Sequence, residues 1–188
     1  MSRASRILIV VLLCLLLPAC VSLQAPRYQP GIDNSAALLR QPLALKVGSF
    51  GAAAGVENHS LSLRGNPLKS GGDGTYAGYL RDALIDELRT GRALSAGNAA
   101  ELRGTLTRNI VNAAGVRTGR AQLAARFVVL RDGHVAYDRE LAIEHQWEAS
   151  FIGAVAVSAA TDNYGTAVQK LIGALVNDPA FIAAARDR

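Results

Sequence analysis

"AQLAARFVVLRDGHVAYDRELAIEHQWE", residues Ala121–Glu148, is the stretch whose reading decides the fold. Asp132-Gly133 at its centre is the dipeptide that a two-residue hairpin turn asks for. Leu123, Ala125, Phe127 and Val129 lead into the turn at even spacing, and Tyr137, Leu141, Ile143 and Trp147 lead out of it. Alternation of this kind gives a strand one buried and one wet face. The stretch therefore predicts an antiparallel hairpin lying on a core.

Working outward, "AELRGTLTRNI" (Ala100–Ile110) alternates as well, with Leu102, Leu106 and Ile110 on one side and Glu101, Arg103, Thr105, Thr107 and Asn109 on the other. Half-buried strands like these go with antiparallel sheets. Before it, "TYAGYLRDALIDELRTGR" (Thr75–Arg92) repeats Tyr76, Leu80, Ala83, Leu84 and Leu88 at helical spacing. Thr75 or Asp73 stands ready to cap that helix, and Gly91 sits where a left-handed C-terminal cap takes glycine. "LALKVGSF" (Leu43–Phe50) reads as a further strand, and the polar stretch Gly51–Gly74 as a long loop with a short strand at Ser60–Arg64. "YGTAVQKLIGALVNDPAFIAAAR" (Tyr164–Arg186) is a second amphipathic helix, then a short turn capped by Asn177 or Asp178 and opened by Pro179. The class is α+β: an antiparallel sheet of about four strands with two helices on one face, in the order β-α-β-β-β-α, forming one domain over 43–188.

Two segments fall outside that body. Arg3 and Arg6 precede an unbroken apolar run, Ile7–Leu17, that ends at small residues. About 11 apolar residues are too few for a bilayer that needs about 20, so 1–19 reads as a secretory signal peptide. Residues 20–42, with Pro26, Pro30, Gly31 and Pro42, have no clear helical period and read as a flexible tether.

Composition narrows the function. The chain holds 20 lysines and arginines against 15 aspartates and glutamates. Loss of Arg3 and Arg6 with the leader leaves 18 against 15, a net charge of +3. The cations are dispersed and aromatics are few, which argues against a nucleic-acid groove. Cys14 leaves with the leader, so Cys20 is the one remaining thiol and no internal disulfide can form.

Leu17-Pro18-Ala19-Cys20 resembles the bacterial lipobox: an aliphatic residue, a variable one, a small one, then cysteine. The resemblance implies a diacylglyceryl thioether on Cys20, cleavage before it, and acylation of the new amine, with palmitate as the expected chain. Val21 stands where enteric-type sorting places an inner-membrane retention aspartate, so the outer membrane is the implied destination. The ordering of strands and helices, with "YLRDALIDEL", "LRGTLTRNIV", "HQWEASF" and "DPAFIAAAR", resembles the YajG-like outer-membrane lipoproteins and, more distantly, the lipopolysaccharide-assembly lipoprotein. That likeness implies an envelope accessory protein rather than an activity.

No catalytic cluster emerges. His145 lies in the apolar phase of the last strand, with Glu144 and Glu148 pointing away from it or beyond the strand end, and reads as a structural histidine. His59 and His134 fall in loops, the histidines are too scattered for a zinc site, and neither a nucleophile elbow nor a phosphate loop is present. No cofactor is expected. The segment Phe151–Ala160 is small and apolar; it either packs as core or helix extension, or is displayed as a docking surface. Phe151, Ile152, Val155 and Val157 are the candidate partner contacts.

The expected protein is a non-enzymatic binding or assembly accessory, held to the periplasmic face of the outer membrane by lipid, with an envelope protein as candidate partner. The alternative is a binder of envelope polysaccharide or lipopolysaccharide that uses Arg103, Arg108 and Arg126. An enzyme acting on envelope polymers is the third reading, disfavoured by the missing catalytic cluster. Partner identity and oligomeric state are left open.

Overall fold

A computed structural model describes residues 23–97, 100–115 and 117–186. The leader, the lipobox and Cys20 lie outside them. The central hairpin forms as its sequence predicts: β6 (Thr118–Arg131) and β7 (His134–Glu148) pair antiparallel from Thr118↔Glu148 to Arg131↔His134. Asp132 and Gly133 both take positive φ, 51° and 78°, the geometry of the two central positions of a type I′ turn. β5 (Ala100–Asn112) pairs antiparallel with β6, and β2 (Leu45–Ala52) completes a four-stranded sheet of order β2-β5-β6-β7.

The sheet is mixed rather than purely antiparallel, because β2 runs parallel to β5. Parallel neighbours need a crossover. Here the connection carries a hairpin, β3 (Ser60–Leu63) with β4 (Asn66–Lys69), and then the fifteen-residue helix Tyr76–Thr90. β4 corrects the expectation of a long loop over Gly51–Gly74 with one short strand, since Asn66–Lys69 is a second strand within it. Numbering helices in chain order, α1 spans Ile32–Leu39, α2 Tyr76–Thr90, α3 Gly153–Val176 and α4 Pro179–Ala185. α2 covers β2 and β5 while α3 covers β6 and β7, so the two long helices share one face of the sheet. Phe127, Val129, Leu102, Leu84, Leu88, Leu171 and Ile172 are fully buried between the layers.

Strict alternation along β5 fails at one place. A register shift between Leu106 and Arg108 inserts an extra residue, so Asn109 and Val111 turn inward and Ile110 is left 51% exposed. Buried Asn109 is satisfied: its amide donates to Glu57 O at 2.8 Å, and Tyr164 donates to its Oδ1 at 3.1 Å. At the end of α2, Gly91 has φ −79° and is not left-handed. Its missing side chain serves close approach instead, since a Cβ there would collide with Leu38 of α1. Thr75 caps the other end, its Oγ1 accepting from Gly78 N at 2.9 Å.

Residues 23–42 are not a tether. β1 (Leu23–Gln24) pairs parallel with β4, Tyr28 and Leu38 are buried, and α1 packs on both α2 and α3. The fastening is a buried carboxylate. Glu87 of α2, 0% exposed, accepts at Oε1 from Tyr28 OH (2.6 Å), Gly31 N (2.8 Å) and Asn34 Nδ2 (3.0 Å). Asn34 also donates to Gln169 O at 3.0 Å, and Gln169 Nε2 donates to Gln29 O at 2.7 Å, which ties the segment to α3. Burial, then the hydrogen bond to Glu87, pushes the Tyr28 phenol far above its usual value. The folded body therefore includes residues 23–42 and does not begin at 43.

Glu87→Ala would strand three donors. At about 1–3 kcal/mol for each buried donor left unpaired, the urea midpoint should fall by far more than that of Tyr28→Phe, which removes a single bond. Equal midpoints for Glu87→Ala and the parent would contradict this arrangement.

At the far end, Asp178 caps α4 by accepting from Ala180 N at 2.8 Å and also accepts from Tyr137 OH at 2.9 Å, with Arg139 Nη1 at 3.4 Å. Burial pushes its carboxyl up, but the Ala180 amide, the Tyr137 hydroxyl and Arg139 outweigh that and hold it below the usual range. A depressed folded-state value stabilises above the unfolded value, near 3.9, and that stabilisation is lost as pH falls through the folded value. Asp178→Asn should therefore flatten the acid limb of stability measured by urea unfolding between about pH 5 and pH 2. Parallel limbs for variant and parent would refute the role given to Asp178.

Candidate functional site

Three loops and the first described residue meet at one end of the sheet. The β3–β4 turn contributes Arg64 and Gly65, both with positive φ (50° and 82°). The link from β5 to β6 contributes residues 113–115, and the link from β7 to α3 contributes residues 149–152. Arg64 fastens them: Nε donates to Ala113 O (2.7 Å), Nη2 to Gly115 O and Ser150 O (both 3.1 Å), and Nη1 to Phe151 O (3.3 Å). Loop carbonyls outside any sheet ladder need such donors, and the planar guanidinium fork supplies several at once.

What this clamp holds up is apolar. Phe151 is 80% exposed, Ile152 63% and Val155 51%, and the intervening Gly153 and Ala154 are exposed as well. The run sits at the start of α3, whose N-cap is Ile152, with no side-chain cap. Serine, threonine, aspartate or asparagine is the ordinary occupant there, and giving it up costs about 1 kcal/mol. Among the described residues, the remaining exposed large apolar side chains, Ile32, Leu39, Ile110 and Val135, are scattered over α1, β5 and β7. One turn later the helix re-enters the core: Ala156, Val157 and Ala160 are buried. Of the four candidate contacts, then, Phe151, Ile152 and Val155 are displayed, whereas Val157 belongs to the core. Phe151–Ala160 is both a helix extension and an exposed surface, divided at residue 156.

Leu23 reaches this end too. It lines a cavity of about 620 Å³ with Arg64, Asn66, Gly153, Val157 and Asp162. A second cavity, about 660 Å³, lies between Gln24–Tyr28 and α2. Of the charges that line it, Asp82 pairs with Arg81 at 2.9 Å and Asp86 with Arg89 at 2.6 Å, while Arg27 is exposed and makes no ion pair among the described residues. Tyr79 in its wall is pushed up to about 12 by burial and donates to Pro26 O at 3.1 Å.

The wet face of the sheet is laced with ion pairs. Arg103 pairs with Glu101, which also meets Lys46 at 3.3 Å, and Arg126 pairs with Asp138 across the hairpin. Arg126 and Lys46–Arg103 hold the Asp138 and Glu101 carboxyls below their usual values. Of the three arginines proposed to hold polyanionic sugar, two are thus neutralised locally, and Arg108 alone is exposed without an ion pair among the described residues. His145 is 8% exposed with both ring nitrogens engaged, Nε2 with Asn163 Oδ1 at 2.8 Å and Nδ1 with Lys170 Nζ at 2.9 Å. Since Lys170 can only donate, Nδ1 accepts and Nε2 donates to Asn163, so neither nitrogen is open to a metal. Glu144 bonds Gln122 and Gln146 on the opposite face. Among the described residues, no group of three or more His, Cys, Asp or Glu side chains could hold a metal ion, and no helix is long and apolar enough to cross a membrane.

No protein-family profile matches the chain, and no curated protein sequence does. Solved structures do resemble it. A Xanthomonas campestris protein of the family DUF330 superposes with a TM-score of 0.60 at 15% identity, over 87% of this chain and 96% of its own. A Caulobacter crescentus chain gives 0.48 at 14% identity over 82% and 98%, and a minor lipoprotein of Acinetobacter baumannii 0.44 at 13% over 74% and 93%. The first of these establishes a shared fold. The likeness runs to a DUF330 protein, and none of these three is described as YajG-like.

The division at residue 156 predicts opposite outcomes for two neighbouring valines. Val157→Ser should lower the thermal midpoint by several degrees, through lost apolar burial and a new hydroxyl in the core, while Val155→Ser should leave it unchanged. The reverse order would mean that this part of α3 faces the other way.

Proposed function

We propose that the chain is a bacterial envelope lipoprotein, anchored through acylated Cys20 to the periplasmic face of the outer membrane, where it serves as a non-enzymatic binding or assembly accessory. The observation that carries this reading is the Leu17-Pro18-Ala19-Cys20 sequence directly after a short apolar leader, with Leu23, three residues beyond the cysteine, already paired in the fold. Three residues span at most about 10 Å. A domain so anchored rides on the lipid surface rather than standing off from it. One acyl chain binds a membrane only marginally, and the three implied by the lipobox hold stably. The engaged ring nitrogens of His145 and the ion pairs that lace the wet face of the sheet favour a scaffold role over catalysis.

Growth with an alkyne-bearing palmitate analogue tests the anchor. The parent protein should be labelled and co-sediment with outer membranes; Cys20→Ala should be unlabelled and lost from them; Val21→Asp should shift the labelled protein to the inner membrane. A parent protein without label would overturn the proposal.

A further inference from the structure

We propose that the exposed run Phe151–Val155 is a second, non-covalent membrane contact: a wedge that enters the lipid surface beside the Cys20 anchor and fixes the orientation of the domain. The inference rests on the lipid anchoring proposed above. Its occupant is the bilayer because of where the chain leaves the fold. Leu23 shares a cavity wall with Gly153, Ala154 and Val157, and three residues reaching at most about 10 Å separate it from Cys20. An acylated Cys20 therefore brings lipid to the same end of the molecule as Phe151 and Ile152, which are 80% and 63% exposed. Had residues 23–42 been a free tether, the two could lie anywhere relative to each other. Because Glu87 pins that segment, they cannot.

The form of the patch suits an interface of this kind. It is a protruding start of a helix whose next turn, Ala156 and Val157, is buried, so the wedge has a rigid base. Arg64 fixes the carbonyls of Ser150 and Phe151, which keeps the loop from folding its apolar side chains back. Exposed Arg117 stands beside the loop, its carbonyl accepting from Ala149 N at 2.9 Å, with Glu148 at the adjoining strand end. The charges near the wedge roughly cancel, so apolar transfer rather than attraction to anionic headgroups is its driving force.

The test uses the full lipidated protein carrying Phe151→Cys. Cys14 departs with the leader and Cys20 is blocked by its thioether, so the new thiol alone takes a polarity-sensitive fluorophore. Val135→Cys, 62% exposed next to the β6–β7 turn at the opposite end of the sheet, is the control. Both are reconstituted into phosphatidylethanolamine–phosphatidylglycerol vesicles with a fraction of lipids bearing an acyl-chain nitroxide. The expected result is flotation of both proteins, with a blue shift and severalfold stronger nitroxide quenching at 151 than at 135. If the protein floats but position 151 emits as it does in water, the wedge is refuted, the anchor stands, and the patch belongs to a protein partner. If 151 is blue-shifted yet unquenched, another copy of the chain covers it, which also refutes the wedge. If the protein does not float, the reading of Cys20 fails and the wedge fails with it.

Discussion

One oxygen of the Glu87 carboxylate, with no solvent exposure, gathers donors from Tyr28, Gly31 and Asn34, residues that lie more than fifty positions earlier in the chain. Hydrogen bonds to a buried acceptor are worth most through what their loss would leave behind, since each stranded donor costs more than its bond contributes. Glu87 Oε2 finds no partner among the described residues, so the carboxylate depends on its three donors all the more. The segment that supplies them cannot lift away singly. Tyr28, Leu38, the Gly91–Leu38 contact and the links from Asn34 and Gln29 to Gln169 move with it.

This constraint converts a sequence feature into a geometric one. The start of β1 is held on β4, whose turn carries Arg64, and Arg64 in turn holds the loop before α3. The point where the chain enters the fold and the five exposed residues from Phe151 to Val155 are parts of one packed unit. The rest of the surface is managed differently. Strand positions facing away from the helices carry cross-strand ion pairs such as Arg126–Asp138 and hydrogen bonds such as Thr107–Glu140, and the edge strand β7 presents Asp138, Glu140 and Glu144 there, the kind of charge that discourages sheet extension. Among the described residues, Phe151–Val155 is where exposed large apolar side chains follow one another in the chain.

The β6–β7 hairpin, its Asp132-Gly133 turn, the α2 stripe with its Thr75 cap and the Asp178-Pro179 start of α4 could all be read from residue pattern, because each is decided by neighbours within a few positions. The parallel run of β2 was hidden, since strand direction depends on the crossover and not on the strand's own alternation. The β5 bulge was hidden too: Ile110 looked inward by parity until one inserted residue reversed it. Residues 23–42 misled for a different reason. Pro26, Pro30 and Gly31 signal irregular backbone, and irregular backbone can be as firmly held as a helix when a distant carboxylate supplies the acceptor. No local pattern announces that Glu87, unlike Asp82 and Asp86 on the same helix, points inward. At the apolar end the composition of Phe151–Ala160 was informative, but only the phase of α3 separates Val155 in solvent from Val157 in the core.

Hydrogen exchange of the amides between residues 23 and 39 tests the central claim most directly. Ala25 N donates to Lys69 O at 2.8 Å, Gly31 N to Glu87 and Ser35 N to Gly31 O at 2.9 Å. If the segment is part of the fold, these amides exchange orders of magnitude more slowly than free peptide, approaching the protection of α2. Exchange at free-peptide rates would mean that the segment is a tether after all, and that nothing fixes the chain entry beside Phe151.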